Sequence, residues 1–250
     1  MIKSHVHGHT RKDGIYVRPH ERGDNTHHVD AIHHHPKLNH EGHPVVVKNP
    51  SRASAPSTWH SPDAVATFVP DGDTPLSLNG IAIHPWTDHP RTNEGWDYVD
   101  GINEEINEPP FHLPAGKVAS SGVVIEEPDG RVWLIAPTNQ FGGYNASYPK
   151  GTAEDEISLQ ANAIKETFEE TGLKIAITGF IGDFTRTTSV ARMYSAKRVG
   201  GSPSEMGWES QAVHLVPKGH LYEHLNGWAD HPIAEATGGG VAPIPKKSLF

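Results

Sequence analysis

The sequence predicts an α/β fold for its second half, preceded by an irregular region rich in His, Pro and aromatic residues. Three observations predict it. Residues 121–126 and 131–136 are strand-like apolar runs on either side of Pro128-Asp129-Gly130, a turn signal that makes them a hairpin. Between Ser158, a preferred N-cap residue, and Gly172, a helix-stop residue, Ala161, Ile164 and Phe168 recur at helical spacing. Residues 173–180, 189–198 and 211–216 then carry strand patterns, and residues 218–228 a helical one ending at Gly227.

Composition narrows the function. A chain of 250 residues suffices for one large domain or two small ones with a sizeable core, and 21 prolines and 25 glycines make it loop-rich. The formal net charge of -9 argues against a general nucleic-acid binder, which needs a basic footprint to displace counterions from phosphates. The absence of cysteine excludes disulfides and thiolate metal sites and is compatible with a reducing cytoplasm. Met1 to Thr10 lacks the apolar centre of a signal peptide. No stretch approaches the roughly 18 to 20 apolar residues of a membrane span, so no membrane partner is expected.

Along the chain, residues 1–58 read as a His-rich irregular or flexible segment, because apolar residues come singly apart from Val45-Val46-Val47. Asp13-Gly14 before Ile15-Tyr16-Val17 fits a small hairpin. Twelve of the 19 histidines precede Ser61, a density that invites a transition-metal reading. Against it stand the missing cysteines and the lack of a paired His spacing on a readable helix. Residues 59–116 spread Trp59, Phe68, Trp86, Trp96, Tyr98 and Phe111 among Pro, Gly and Asp, with a second hairpin signal at Asn79-Gly80. So many aromatics are costly to leave in water, so this extension is expected to pack on the following domain. A sharper alternative makes it a substrate-side wall in which His84, Trp86 and Trp96 stack a base. Residues 117–235 are the regular domain, and residues 236–250, with three consecutive glycines, read as a flexible tail.

The chemistry is concentrated between Tyr148 and Leu173. At about 100° per residue Glu166, Glu169 and Glu170 share one arc of the helix, opposite Ala161, Ile164 and Phe168. Three carboxylates this close repel one another unless a cation offsets them, and oxygen-only ligands suit Mg²⁺. A solvated acidic face is the alternative. The stretch resembles the Nudix box, G-x5-E-x7-R-E-U-x-E-E-x-G-U with U aliphatic. Gly151, Glu166, Glu169, Glu170, Gly172 and Leu173 match it in register, six of nine fixed positions. Ile157, Lys165 and Thr167 stand where the pattern has Glu, Arg and an aliphatic residue, so the ion pair between the first Glu and the Arg cannot form.

The resemblance implies a mixed-sheet α/β/α sandwich over residues 117–235. It also implies hydrolysis of a pyrophosphate bond in a nucleoside diphosphate linked to another group, with Mg²⁺ or Mn²⁺ as cofactor. Dinucleoside polyphosphates, nucleotide sugars and ADP-ribose are the substrate types, and a homo-oligomer is compatible with it. Glu166, Glu169 and Glu170 are then the metal ligands and catalytic carboxylates, joined by the carbonyl of Gly151. Lys150 is a phosphate contact and Arg186 a second substrate-binding candidate. The general base comes from the box helix or from a later loop, where Glu205 and Glu209 are available and Glu209 is chosen. Ile157 falls in the apolar stripe and is expected to be buried, with Lys165 turned to solvent. A non-catalytic, nucleotide-sensing or partner-binding module of the same fold is the competing reading, favoured by the missing first Glu. The retained carboxylates favour catalysis.

Overall fold

The computed structural model describes residues 32–240 in full; before them it describes only the backbone of four short strands. Those strands are β1 (Ser4–Val6), β2 (His9–Thr10), β3 (Tyr16–Val17) and β4 (His20–Arg22), and they lie in a unit of their own, Met1–Ile32. Antiparallel pairing of β2 with β3 brackets Asp13-Gly14, which themselves lie outside the described residues. So do residues 241–250, most of the segment read as a tail. Residues 236–240 cap a helix, where the Gly239 N–H donates to the Ala234 carbonyl at 2.8 Å.

The second unit, His33–Phe250, is built on two sheets. Its strands are β5 (Ala66–Phe68), β6 (Ser77–Leu78), β7 (Ile81–Ala82), β8 (Val118–Ile125), β9 (Arg131–Pro137), β10 (Lys150–Thr152), β11 (Leu173–Thr185), β12 (Ser189–Gly201) and β13 (Ser210–Pro217). The helices are α1 (Asn93–Asp97), α2 (Leu159–Thr171), α3 (Leu221–His224) and α4 (His231–Ala236). One sheet runs β10-β8-β12-β11 and is mixed, because β12 pairs parallel to β8 while the other two pairings are antiparallel. The other, β5-β13-β9, is antiparallel.

Side-chain alternation sends each strand to two cores. Val123, Ile125, Trp133, Tyr194, Val213 and Leu215 meet Ala163, Ile164 and Phe168 of α2 on one face. Val124, Val132, Leu134, Met193 and Val216 meet Leu221 of α3, Leu225 just after it, and Ile233 and Ala234 of α4 on the other. Helix, sheet and helix therefore form the three layers expected.

Several expectations are refined. The Pro128-Asp129-Gly130 turn forms, but β8 and β9 part after one bridge, Glu126 with Val132, and enter different sheets. Glu127, the turn's first residue, is buried on Arg198 and Trp133, which draws the chain inward and splays the strands. Asn79-Gly80 does close a two-residue hairpin, with φ of 51° and 79°. The helix expected at 218–228 begins on time, as a 3-10 turn at Lys218–His220 that runs into α3, but ends at His224. Gly227 serves a different purpose from stopping a helix, since a Cβ there would overlap the Tyr144 ring.

Packing also begins earlier than residue 59. Val45 and Val47 are buried, and Val47 joins Val69, Ala136 and Ala212 against the antiparallel sheet, so residues 33–58 belong to this unit. Trp59, Phe68, Trp86 and Trp96 sit in the same core as α2, and β5 is a sheet strand. Of the aromatics in residues 59–116, Trp59, Phe68, Trp86 and Trp96 are thus core residues, while Tyr98 is exposed.

Candidate active site

Helix α2 begins where its sequence says it should. The Ser158 side chain accepts the Ala161 N–H at 3.2 Å, and Gly172 closes the other end at φ 71°. Its apolar stripe packs Phe168 against Trp86 and Trp96, with ring centroids at 5.3 and 6.1 Å. That burial removes Trp86 and Trp96 from any base-stacking wall. They fix the helix, and His84 alone of the three is exposed.

With the apolar stripe anchored, the carboxylate arc faces β10. Glu166 lies directly against Gly151, where any Cβ would overlap its carboxylate; glycine is required here by close approach. The Lys150 N–H donates to Glu170 Oε2 at 2.8 Å, so the glycine loop and the helix are clasped through two adjacent carboxylates. Burial, with Glu170 and Glu169 nearby, pushes the Glu166 pKa up to about 8. Burial also pushes Glu170 up to about 8, against the opposing Lys150 charge and hydrogen bond. Glu169 is half exposed, lies 3.7 Å from Lys165, and is raised by desolvation against that lysine's pull. Among the described residues, no three His, Cys, Asp or Glu side chains converge as a ready cation cage. Like charges have been drawn aside, Glu170 by the loop N–H and Glu169 towards Lys165.

The raised pKa values carry a sign. Each group binds its proton more tightly folded than unfolded, so its stabilising effect is complete below the ordinary carboxylate value. It is lost as pH rises through about 8. In chelator the melting temperature should therefore fall between pH 5 and pH 9, and Mg²⁺ should restore it at the upper end. A flat profile would mean the two carboxylates are solvated.

Two cations were singled out by sequence, and the structure brings both to one buried anion. Arg186 Nη1 donates to Asp230 at 2.6 Å and Nη2 to the Tyr144 hydroxyl at 2.9 Å. Lys150 Nζ donates to Ser147 Oγ, which itself donates to Asp230 at 2.8 Å. Asp230 is fully buried. The Lys150 pKa is lowered by burial and by Arg186, although Asp230, Glu170 and Glu166 oppose this. Asp230 had no sequence signal because it lies far from the motif, and Tyr144, four residues before Tyr148, had none because a tyrosine in a turn-rich loop has no period to mark it.

Ile157 is buried at 9% exposure, as its stripe predicts. Lys165 is a correction: it is not turned to solvent but keeps only 13% exposure and pairs with Glu154 and Glu169. Burial opposes its charge, yet the bond to Glu154 and the field of Glu169 outweigh that and raise its pKa. Glu154 thus supplies, three positions early, the carboxylate missing at 157. Its backbone N–H is held by Asn162 Oδ1 at 3.2 Å. Ile157→Glu should then cost stability by roughly 1–3 kcal/mol, since Lys165 is already paired and the site is apolar. Denaturant titration decides; an unchanged midpoint would mean that position 157 is open to solvent.

Glu209 stands on the loop between β12 and β13, with 53% side-chain exposure, and its charge contributes to the raised pKa of Glu166, Glu169 and Glu170. The loop is tied to α2: the Gly207 N–H donates to the Glu169 carbonyl at 2.6 Å, and the Ser202 N–H to Gly172 at 3.0 Å. Glu205 lies on the same loop, with its carbonyl taken by Lys37 Nζ. Of the two base candidates, Glu209 is the one whose field reaches all three helix carboxylates.

Comparison with known proteins agrees with this geometry. The NUDIX domain model matches residues 116–234. An RNA pyrophosphohydrolase of Caulobacter vibrioides is 42% identical over 64 residues, which are 26% of this chain and 34% of the relative. The chain thus spans about a third of the length of the curated relatives it matches. A NUDIX hydrolase structure from Nitrosomonas europaea superposes with a TM-score of 0.43 at 16% identity, covering 50% of this chain and 91% of that one. For an ADP-ribose pyrophosphatase from Streptococcus suis the values are 0.40 and 18%, with 48% and 87% covered. Among the described residues no helix is long and apolar enough to cross a membrane. The match over residues 116–234, which contains the glycine loop, the carboxylate helix and the sheet that holds them, identifies that stretch of the chain as a NUDIX domain.

Proposed function

We propose that the chain hydrolyses a pyrophosphate bond in a nucleoside diphosphate linked to another group, using a divalent cation. One observation carries this reading most: Glu166 on the Gly151 backbone and Glu170 on the Lys150 N–H bind loop and helix into one oxygen-rich corner. The candidate ligands are all oxygens, which suits Mg²⁺ or Mn²⁺. Glu166, Glu169, Glu170 and the Gly151 carbonyl are the residues that would hold the cation. When bound, it supplies neutralising charge at the pyrophosphate oxygens.

The chain's own residues do the rest. Lys150, whose ammonium is held by Ser147 and the Tyr148 carbonyl and feels the charges of Asp230, Glu170 and Glu166, contacts a phosphate, and Arg186 adds charge to the same corner at one remove. Glu209 takes the proton of the attacking water as its oxygen bonds to phosphorus. The bridging P–O bond then breaks, and its electron pair leaves with the departing phosphate. Substrate types are dinucleoside polyphosphates, nucleotide sugars and ADP-ribose, to which the relative named an RNA pyrophosphohydrolase adds a pyrophosphate bond in RNA. Such substrates, with the absence of cysteine, fit a cytoplasmic location.

The test is product release from diadenosine tetraphosphate, ADP-ribose, a UDP-sugar and 5′-triphosphate RNA, with and without Mg²⁺ or Mn²⁺. Cation-dependent cleavage of at least one is expected. Binding of any of them without turnover would overturn catalysis in favour of a nucleotide-sensing module.

A further inference from the structure

Residues 33–47 precede the matched domain and form a finger. The His35 N–H donates to Val45 at 2.8 Å, Val47 to His33 at 2.9 Å and Asn39 to His43 at 3.0 Å. Its tip turns at Gly42, φ 77°, where Asn39 Oδ1 accepts the N–H groups of Glu41 and His43 at 3.0 and 2.8 Å. Its base is fixed on the antiparallel sheet by Val47 and by Gln211, whose Oε1 accepts the N–H groups of Lys48 and Asn49 at 2.9 and 3.1 Å. Gln211 is fully buried and lies two residues beyond Glu209.

Between tip and base the finger reaches the loop that carries Glu209. Lys37 Nζ donates to the Glu205 carbonyl, and Glu169 is near enough to act on its charge. His40 places Nε2 3.4 Å from Glu209 Oε1 and its ring edge-on to Trp208, centroids 5.0 Å apart. Both His40 and Glu209 are mostly exposed, and an exposed pair of this kind adds little to stability. Its consequence is orientation. The loop is pinned to α2 at Gly207 and to Thr138, whose N–H donates to the Glu209 carbonyl at 2.7 Å, while His40 restrains the carboxylate itself.

We infer that this finger is a positioning device for the base: Lys37 holds the 203–209 loop through its backbone and His40 orients the Glu209 side chain. The inference rests on the proposed role of Glu209. It gives one histidine of the His-rich segment, His40, a specific task.

Two measurements test it. The first needs no substrate: hydrogen exchange at the amides of residues 203–209 should quicken about tenfold in the double variant Lys37→Met/His40→Ala, with the melting temperature unchanged. Unchanged exchange overturns the inference whatever the activity. The second is hydrolysis of diadenosine tetraphosphate or ADP-ribose in Mg²⁺. His40→Ala should lower kcat about tenfold at constant KM. His40→Gln, which keeps an N–H group within reach of the carboxylate, should recover most of it, and the tip control His43→Ala should match the unmodified protein. In a Glu209→Gln background, His40→Ala should have no further effect. An additive loss there overturns positioning through Glu209. Full activity of Glu209→Gln itself would overturn the base assignment, and with it the role of His40, while quickened exchange would still show the loop to be held by the finger. If the unmodified protein turns over none of the four substrates of the proposed function, it is the catalytic reading that fails, and the exchange measurement alone decides whether the finger holds the loop.

Discussion

Glu170→Gln should abolish cation-dependent hydrolysis, lowering kcat by orders of magnitude, while leaving a folded protein. Glu170 is fixed by the Lys150 N–H at 2.8 Å, and the glutamine carbonyl oxygen can accept the same bond, so the clasp between loop and helix survives. What is lost is a charge at the corner where Glu166 and Glu169 also stand, and with it the affinity of an oxygen site for a hard dication. The direction of the stability change is opposite. Glu170 has its pKa raised to about 8 by burial, so at pH 9 the ionised side chain weighs against the fold, and the neutral amide relieves it. The variant without cation should therefore melt higher than the parent at pH 9 and about equally at pH 4. The added stabilisation by Mg²⁺ should shrink. Turnover at the parental rate would remove Glu170 from the site, and a lower melting temperature at pH 9 would mean that the clasp depends on the charge.

The largest effect on stability should come from Arg198→Met. Arg198 and Glu127 are both fully buried side chains, joined by Nε to Oε1 at 2.5 Å and Nη2 to Oε2 at 3.3 Å. Glu127 also accepts from the Trp133 indole N–H at 2.8 Å and Asn79 Nδ2 at 2.9 Å, and Arg198 Nη2 donates to the Leu78 carbonyl at 2.8 Å. The pair thus links β12, the turn after β8, β9 and the β6–β7 hairpin. Removing only the cation leaves a carboxylate in a dry site, at a cost of about 3–5 kcal/mol. For a chain of this size that corresponds to a fall in melting temperature on the order of 10 °C. Adding Glu127→Gln to Arg198→Met should recover part of it, because the amide can still accept from Trp133 without a buried charge. Urea unfolding of the three variants decides. A single-variant loss below about 1 kcal/mol would mean that water reaches the pair.

Local physics made much of the α2 region legible from sequence. Ser158 and Gly172 mark their own ends of the helix because capping depends on a side-chain oxygen and on freedom at positive φ, both properties of single residues. The 3.6-residue period placed Phe168 and Ile164 inward, and it set Glu166, Glu169 and Glu170 on one arc, before any contact was known. Asn79-Gly80 closed its hairpin for a similarly local reason.

Tertiary structure decided everything that depends on partners distant in the chain. That β8 and β9 enter different sheets goes with Glu127 at their turn meeting Arg198, 71 residues away, which no local pattern encodes. The replacement of the missing box carboxylate by Glu154 depended on where the loop before α2 lies, and a charge three positions out of register looks like any surface glutamate. Asp230 gathers Lys150 and Arg186 from far along the chain. Residues 33–47 resemble a polar linker because a finger held by two buried valines and backbone hydrogen bonds needs no periodicity. Sequence alone determined the helix, its acidic arc and the class of cation suited to it, since these follow from the spacing and chemistry of neighbouring residues. Which groups surround that arc was decided by folding, because burial, pKa and hydrogen-bond partners belong to the packed chain and not to any segment of it.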